Sequence, residues 1–182
     1  MRVISGKAKG IRLNTPKGML TRPTADRVKE ALFSILHFDL PGTRVLDLFA
    51  GTGQLGIEAL SRGATHAVFV DERLDACDLV KENIEKCGFL PNANVVRSDY
   101  MAYLRRCKEK FDIIFLDPPY SEVFLENALK MITEIDILQS GGIIATEYPL
   151  GKVLPAELAE QFQAKEYRYG KTVLTLYRKV DS

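Results

Sequence analysis

Between residues 44 and 148 the chain repeats one unit: a short apolar strand, a turn marked by glycine or aspartate, and a helix. RVLDLF (44–49) precedes a helical stretch near 54–62, and AVFVD (67–71) precedes a longer one near 73–87. NVVR (94–97) leads to a helix around 100–108, IIFLD (113–117) to one around 122–132, and GGIIATEY (141–148) reads as a fifth strand. The strands are apolar runs without strict alternation, so both of their faces need cover. Strands alternating with helices at this interval therefore predict a mostly parallel sheet with helices on both sides, an α/β fold of the Rossmann-like kind. EYRYG and KTVLTLYRK (166–179) meet at Gly170 and predict an antiparallel C-terminal hairpin at the sheet edge. Seven strands result.

Upstream of the first strand, Val28, Ala31, Leu32, Ile35 and Leu36 recur at helical spacing and predict a helix near 25–37 with one buried face. Pro23 and Thr24 supply its start, with Thr24 as N-cap. Earlier still, VISGKAKGIRL alternates around Gly6 and Gly10 as a short β-hairpin that would project Lys7, Lys9 and Arg12. A chain of 182 residues has room for one full core, so the expected division is a basic hairpin extension over 1–20 and a body over 21–182.

Charge is distributed unevenly. Residues 1–29 carry eight Lys or Arg against Asp26 alone, a net of +7, whereas the remaining 17 basic and 23 acidic residues sum to −6. A basic arm on a mildly acidic body suits a polyanion, because phosphates neutralised by cations release their counterions. Arg2, Lys7, Lys9, Arg12 and Lys17 are its candidate contacts. The N-terminal MRVISGKAKG has no apolar signal segment and no run approaches 20 apolar residues, which predicts a cytoplasmic chain without membrane partners. Cys77, Cys87 and Cys107 form no CxxC pair, so they read as free thiols, and His37 and His66 stand outside any metal-ligand spacing. No metal is expected.

The first strand runs into DLFAGTGQLG, where Gly51, Gly53 and Gly56 satisfy G-x-G-x-x-G and Asp71 follows Gly51 by twenty residues. That spacing fits a dinucleotide as well as it fits S-adenosylmethionine. Both ligands need a turn without side chains at a helix N-terminus, and both use an acid at the end of strand two for ribose hydroxyls. Asp47 separates them. Four residues before Gly51, it would repel a pyrophosphate but favour the ammonium and sulfonium of S-adenosylmethionine. Asp99 is placed to accept from the adenine amino group and Tyr100 to cover the ring, although Ser98-Asp99 before a helix is also an ordinary N-cap pair.

FDIIFLDPPY (111–120) closes strand four with Asp117, Pro118, Pro119 and Tyr120, and a parallel sheet delivers that segment to the same crevice as the glycine turn. Two prolines fix φ and remove two N–H donors, leaving carbonyls as preset acceptors. Asp117 and the Pro118 carbonyl then form a pair suited to a group with two N–H donors, such as a nucleobase exocyclic amine. Accepting both hydrogens out of the base plane turns the nitrogen lone pair toward the methyl sulfonium, so positioning and electrostatics carry the chemistry. Tyr120 would stack on a base drawn from its own stack.

DLFAGTG, Asp71 and DPPY in this order resemble the class I S-adenosylmethionine-dependent amino-methyltransferases. More of the chain resembles the bacterial 16S rRNA guanine-N2 methyltransferases of the RsmD type: RVISGKAKGIRLNTP, TRPTADRVKEALFSIL, DLFAGTGQLGIEALSRGA, FDIIFLDPPY and YGKTVLTLY all match in order and spacing. That resemblance implies methyl transfer to a guanine N2 in 16S rRNA, within an assembling small subunit; a monomer is the expected state. It places Arg22 and Thr24 beside the methionine end of the cofactor, with Phe49 and Glu72 joining Asp47, Gly51, Gly53, Asp71, Asp99 and Tyr100 in the cofactor site. Gln54 departs from the small residue usual after the glycine turn, and Ser34 from a common Asn. From the residues alone, adenine-N6 methylation of RNA or DNA stays open, as does a non-catalytic rRNA-binding assembly factor. A nicotinamide oxidoreductase would require Asp47 to be harmless and DPPY to be idle, and a protein-glutamine methyltransferase would typically carry Asn in place of Asp117.

Overall fold

The computed structural model describes residues 1–16, 23–118, 122–149 and 161–180. Its elements in chain order are α1 (Pro23–Ile35), β1 (Arg44–Asp47), α2 (Gln54–Ser61), β2 (His66–Asp71), α3 (Leu74–Lys86), β3 (Ala93–Arg97), α4 (Tyr100–Arg106), β4 (Phe111–Leu116), α5 (Glu122–Ile135), β5 (Leu138–Pro149), β6 (Phe162–Tyr169) and β7 (Thr172–Lys179). A single 3-10 turn, Leu90–Asn92, precedes β3. One sheet of seven strands runs β3-β2-β1-β4-β5-β7-β6. Its first five strands are parallel, and β7 joins β5 and β6 antiparallel, so the expected mixed sheet is observed. Strand order reverses between β1 and β4, which makes the crevice beyond their C-terminal ends the topological switch point where such sheets bind ligands.

Each face of the sheet has its own core, because successive side chains of a strand point to opposite sides. Val45, Ala67, Phe69, Ile113, Phe115, Ile143 and Ala145 join α1, α2 and α3 through Leu32, Phe33, Leu36, Ile57 and Val80. Leu46, Val68, Val70, Ile114, Leu116 and Ile144 pack instead against α4 and α5 through Leu104, Leu125, Leu129 and Ile132. Gly56 in α2 allows the closest of these approaches: a Cβ there would lie 2.3 Å from Cε1 of Phe69.

The N-terminal residues are docked on the first face. Arg2 and Arg12 form an antiparallel bridge, with Val3 N donating to Ile11 O (3.0 Å) and Gly10 N to Val3 O (2.9 Å), so a hairpin exists although it is too short for regular strands. Val3, Ala8 and Leu13 enter the first core. The hairpin backbone is held by α2: Ile4 N and Ser5 N donate to the two carboxylate oxygens of Glu58 (2.8 and 3.0 Å), and Ala8 N donates to Ser61 Oγ (3.0 Å). Glu58 is fully buried and balanced by Lys29 Nζ at 3.7 Å and Arg62 Nε at 2.9 Å. Lys29, itself buried, also donates to Arg2 O, and burial lowers its pKa against the pull of Glu58. Buried charge of this kind holds only while every partner is present.

Three boundaries differ from expectation. Helix α1 begins at Pro23, so Thr24 falls inside the first turn and is not its N-cap; proline suits a first helical position, since its missing N–H would have no partner there. Strand β1 stops at Asp47, two residues before Phe49, because Ala50 N turns to donate to Val70 O of the neighbouring strand. Strand β5 starts at Leu138, ahead of the glycine pair, because its pairing with β4 shifts register between Phe111 and Ile113 and Gly141 absorbs the irregularity at φ 69°.

Candidate active site

Four adjacent strands each carry a carboxylate at or near their C-terminal end, and the pleat puts all four on one face. Asp47 follows Val45, Asp71 follows Phe69, Asp117 follows Phe115 and Glu147 follows Ala145, each two residues beyond a member of the first core. Register sets their depth. Asp47 pairs in β1 with Phe69 and Phe115, so Asp71 and Asp117 lie one pleat nearer the mouth, and Leu116 opposite Thr146 brings Asp117 level with Glu147.

Asp47 is the deepest, at 1% exposure. Its Oδ2 accepts from Gly56 N at 3.1 Å, while its Oδ1 is buried without a partner among the described residues. Burial, opposed by the Gly56 N–H and reinforced by Asp117 and Asp71, pushes its carboxyl up to about 7. An orphaned oxygen beneath a glycine turn is an acceptor waiting for a donor, and a cation would relieve the raised pKa.

The turn itself is shaped for a ligand. Gly51 (φ 55°) and Gly53 (φ 77°) both occupy the left-handed region, and a Cβ on Gly51 would meet no protein atom within 4 Å. Only a residue without a side chain leaves that surface clear. Asp71 braces the turn, its Oδ2 accepting from Gly51 N (2.9 Å) and its Oδ1 from Arg73 N (3.0 Å), and each oxygen keeps a lone pair for a hydroxyl. Glu72 is exposed beside it. Beneath the turn, Asn83 donates to Thr52 O (2.9 Å) and Asn14 O (3.0 Å) and accepts from Asn14 N (2.6 Å), tying the N-terminal arm to the glycine loop.

Asp99 is exposed and caps α4, its Oδ1 accepting from Ala102 N at 3.1 Å, and its second carboxylate oxygen has no hydrogen bond among the described residues. Tyr100 is buried against Phe124 (5.7 Å between ring centroids) and Phe49 (5.2 Å), so Phe49 is the more accessible of the two rings placed at this end. Asp117 stays accessible to solvent, yet the protein crowded around it pushes its carboxyl up to about 6. Arg22, Lys17, Pro119, Tyr120 and the side chain of Thr24 lie outside the described residues. Arg2, Lys7, Lys9 and Arg12 are exposed on the docked arm.

Three contributors escaped the sequence reading: Glu147, Asn83 and Glu58. No motif flags them, because each acts on residues more than 25 positions away in the chain. Glu147 is half-buried, and burial with the neighbouring Asp117 charge pushes its carboxyl up to about 7. Among the described residues, no three or more metal-binding side chains converge and no helix is long and apolar enough to cross a membrane.

The model of the family described as conserved hypothetical protein 95 matches residues 1–178. A protein of Bacillus subtilis (strain 168) described as a candidate rRNA methyltransferase, YlbH, is 41% identical over 98% of this chain and 99% of its own length. The ribosomal RNA small subunit methyltransferase D of Escherichia coli (strain K12) is 33% identical over 98% of this chain and 90% of its own. Among solved structures, one from Escherichia coli described as a candidate methyltransferase, yhhF, superposes with a TM-score of 0.88 at 30% identity, covering 100% of this chain and 99% of that one.

Proposed function

The chain belongs to the conserved hypothetical protein 95 family, that of the small-subunit rRNA methyltransferase D proteins, and from that membership we propose that it methylates the exocyclic N2 amine of a guanine in 16S rRNA. The observation that carries the reading is the row of carboxylates on one sheet face, with an unpartnered Asp47 oxygen under an unobstructed glycine turn and Asp117 one pleat above it.

S-adenosylmethionine, when bound, supplies a methyl group on a sulfonium. Asp47 and the Gly51–Gly53 turn would hold its charged end, Asp71 and Glu72 its ribose hydroxyls, and Asp99 with Phe49 and Tyr100 its adenine; Arg22 and Thr24 would border the methionine end. Two positive charges in the ligand suit a site with carboxylates at three neighbouring strand ends. Asp117 and the Pro118 carbonyl accept the two amine hydrogens, and Pro119 and Tyr120 complete the DPPY wall, with Tyr120 stacking on the base. Methyl transfer to nitrogen would break the methyl–sulfur bond, leave S-adenosylhomocysteine with that electron pair, and put one surplus proton on the amine. Asp117 is positioned to take it or pass it to water, and the upward shift of its carboxyl brings it closer to that task.

Arg2, Lys7, Lys9, Arg12 and Lys17 on the arm of residues 1–20 would grip the rRNA backbone, probed as a small-subunit particle; residues 21–182 would act as the catalytic body, working as a monomer in the cytoplasm. Incubation with labelled S-adenosylmethionine and small subunits from a strain lacking its own enzyme, followed by nucleoside analysis, tests the assignment. N2-methylguanosine at one site supports it, and N6-methyladenosine would replace the substrate while keeping the mechanism.

A further inference from the structure

The proposed chemistry uses three of the four strand-end carboxylates and leaves Glu147 without a task. Glu147 is level with Asp117 on the adjacent strand and on the same face, so their side chains are neighbours about one strand spacing apart. Its partner across β7 is Leu174, an apolar residue, and among the described residues its carboxylate has no hydrogen bond or ion pair. A half-buried acid beside another acid is unfavourable unless something donates to both.

Resting on the guanine-N2 reading above, we propose that Glu147 is the residue that selects the base: it accepts the ring N1–H of guanine while Asp117 and the Pro118 carbonyl accept the two N2 hydrogens. The Watson–Crick edge of guanine offers three N–H hydrogens there, and the site presents three acceptors. Adenine offers only two, on its amine, and turns a bare ring nitrogen toward Glu147. Acceptor then faces acceptor, and the carboxylate is left desolvated and unsatisfied. DPPY alone serves any exocyclic amine, so discrimination has to come from the group that meets the neighbouring ring atom. The elevated pKa of Glu147 agrees with this task, since a ring N–H arriving from the base restores the ionised form.

The test uses small subunits reconstituted with guanine or with 2-aminopurine at the target nucleotide. 2-Aminopurine keeps the N2 amine but lacks the 6-oxo group and with it the N1 hydrogen, so the Glu147 variants separate the loss of the N1–H from the loss of the oxo group. Wild-type protein is expected to methylate guanine more efficiently in kcat/KM by on the order of 10- to 150-fold, the worth of one hydrogen bond to a charged acceptor. In Glu147→Gln, whose amide can donate to the bare ring nitrogen, that ratio falls to within about threefold of unity, and Glu147→Asp recovers part of it. S-adenosylmethionine affinity, read calorimetrically, stays at the wild-type value in both variants and certifies that the fold and cofactor site are intact. Wild-type protein that methylates guanine and 2-aminopurine equally, or a Glu147→Gln variant that keeps the full preference, would overturn the base-selecting role while leaving guanine methylation standing. Wild-type protein that methylates no guanine in these particles overturns the proposed function and this inference with it.

Discussion

Replacing Asp47 by Asn is predicted to stabilise the ligand-free protein above neutral pH and to weaken its hold on the cofactor. The native carboxyl titrates at about 7 against an ordinary 3.8, and burial is the first cause. Unfolding therefore releases a proton from this group between those two values, so its contribution to native stability is fullest below pH 3.8 and declines as pH rises toward 7. At 1.36 kcal/mol per pK unit, the full loss above pH 7 has a ceiling of about 4 kcal/mol. Roughly 3 kcal/mol of it develops between pH 5 and pH 8. Asn cannot ionise and keeps an oxygen for Gly56 N, so the difference in stability between variant and wild type should move in the variant's favour by about 3 kcal/mol across that interval. For a chain of this size that is on the order of 6–12 °C in Tm. Thermal melts at pH 5 and pH 8, with and without saturating S-adenosylmethionine, give both readings. The ligand-induced rise in Tm should be large at pH 8 in the wild type and much smaller in the variant, because the cationic ligand no longer meets a negative partner. An unchanged pH slope in Asp47→Asn, or an unchanged ligand-induced rise, would refute the assignment of this carboxylate to the cofactor's charge.

Other consequences follow from the same geometry. Glu58→Ala leaves Lys29 buried without its carboxylate and frees Ile4 N and Ser5 N, so it should cost about 3–5 kcal/mol in denaturant unfolding and expose residues 1–14 to limited proteolysis. Gly56→Ala places a Cβ 2.3 Å from Phe69 Cε1 and should lower stability by about 1–3 kcal/mol, read by the same unfolding curves. Changing Lys7, Lys9 and Arg12 together to Glu should weaken rRNA binding and flatten the plot of log affinity against log salt by about two to three units, with S-adenosylmethionine affinity untouched.

Much of the candidate site's geometry could be read from the chain because the turn chemistry and the motif coincide locally. Asp47, Gly51, Gly53 and Asp71 lie within 25 residues, and the ordering of strands by length and spacing set Asp117 in the same crevice. Asp99 shows the limit of such reading: one side chain satisfied two rules, and the structure shows it capping α4 with one oxygen. Glu147 was illegible for a different reason. Its position depends on the Leu116–Thr146 register, and a pairing shift beside the Gly141-Gly142 corner hides that register from any count along the sequence. Glu58 reads as an ordinary polar helix residue pairing with Arg62 one turn on, since its distant partners Ile4, Ser5 and Lys29 meet it only in the folded chain. The Thr24 cap failed because Pro23 takes the first helical position itself.

In the proposed reaction Asp117 works on the amine and does little to hold either ligand. Single-turnover methyl transfer by Asp117→Asn to guanine in small subunits, run alongside its affinities for S-adenosylmethionine and for the subunit, tests it directly. Near-wild-type binding of both is expected, with the chemical step slowed by at least about 100-fold. A variant that binds as before and transfers methyl at the wild-type rate would contradict it.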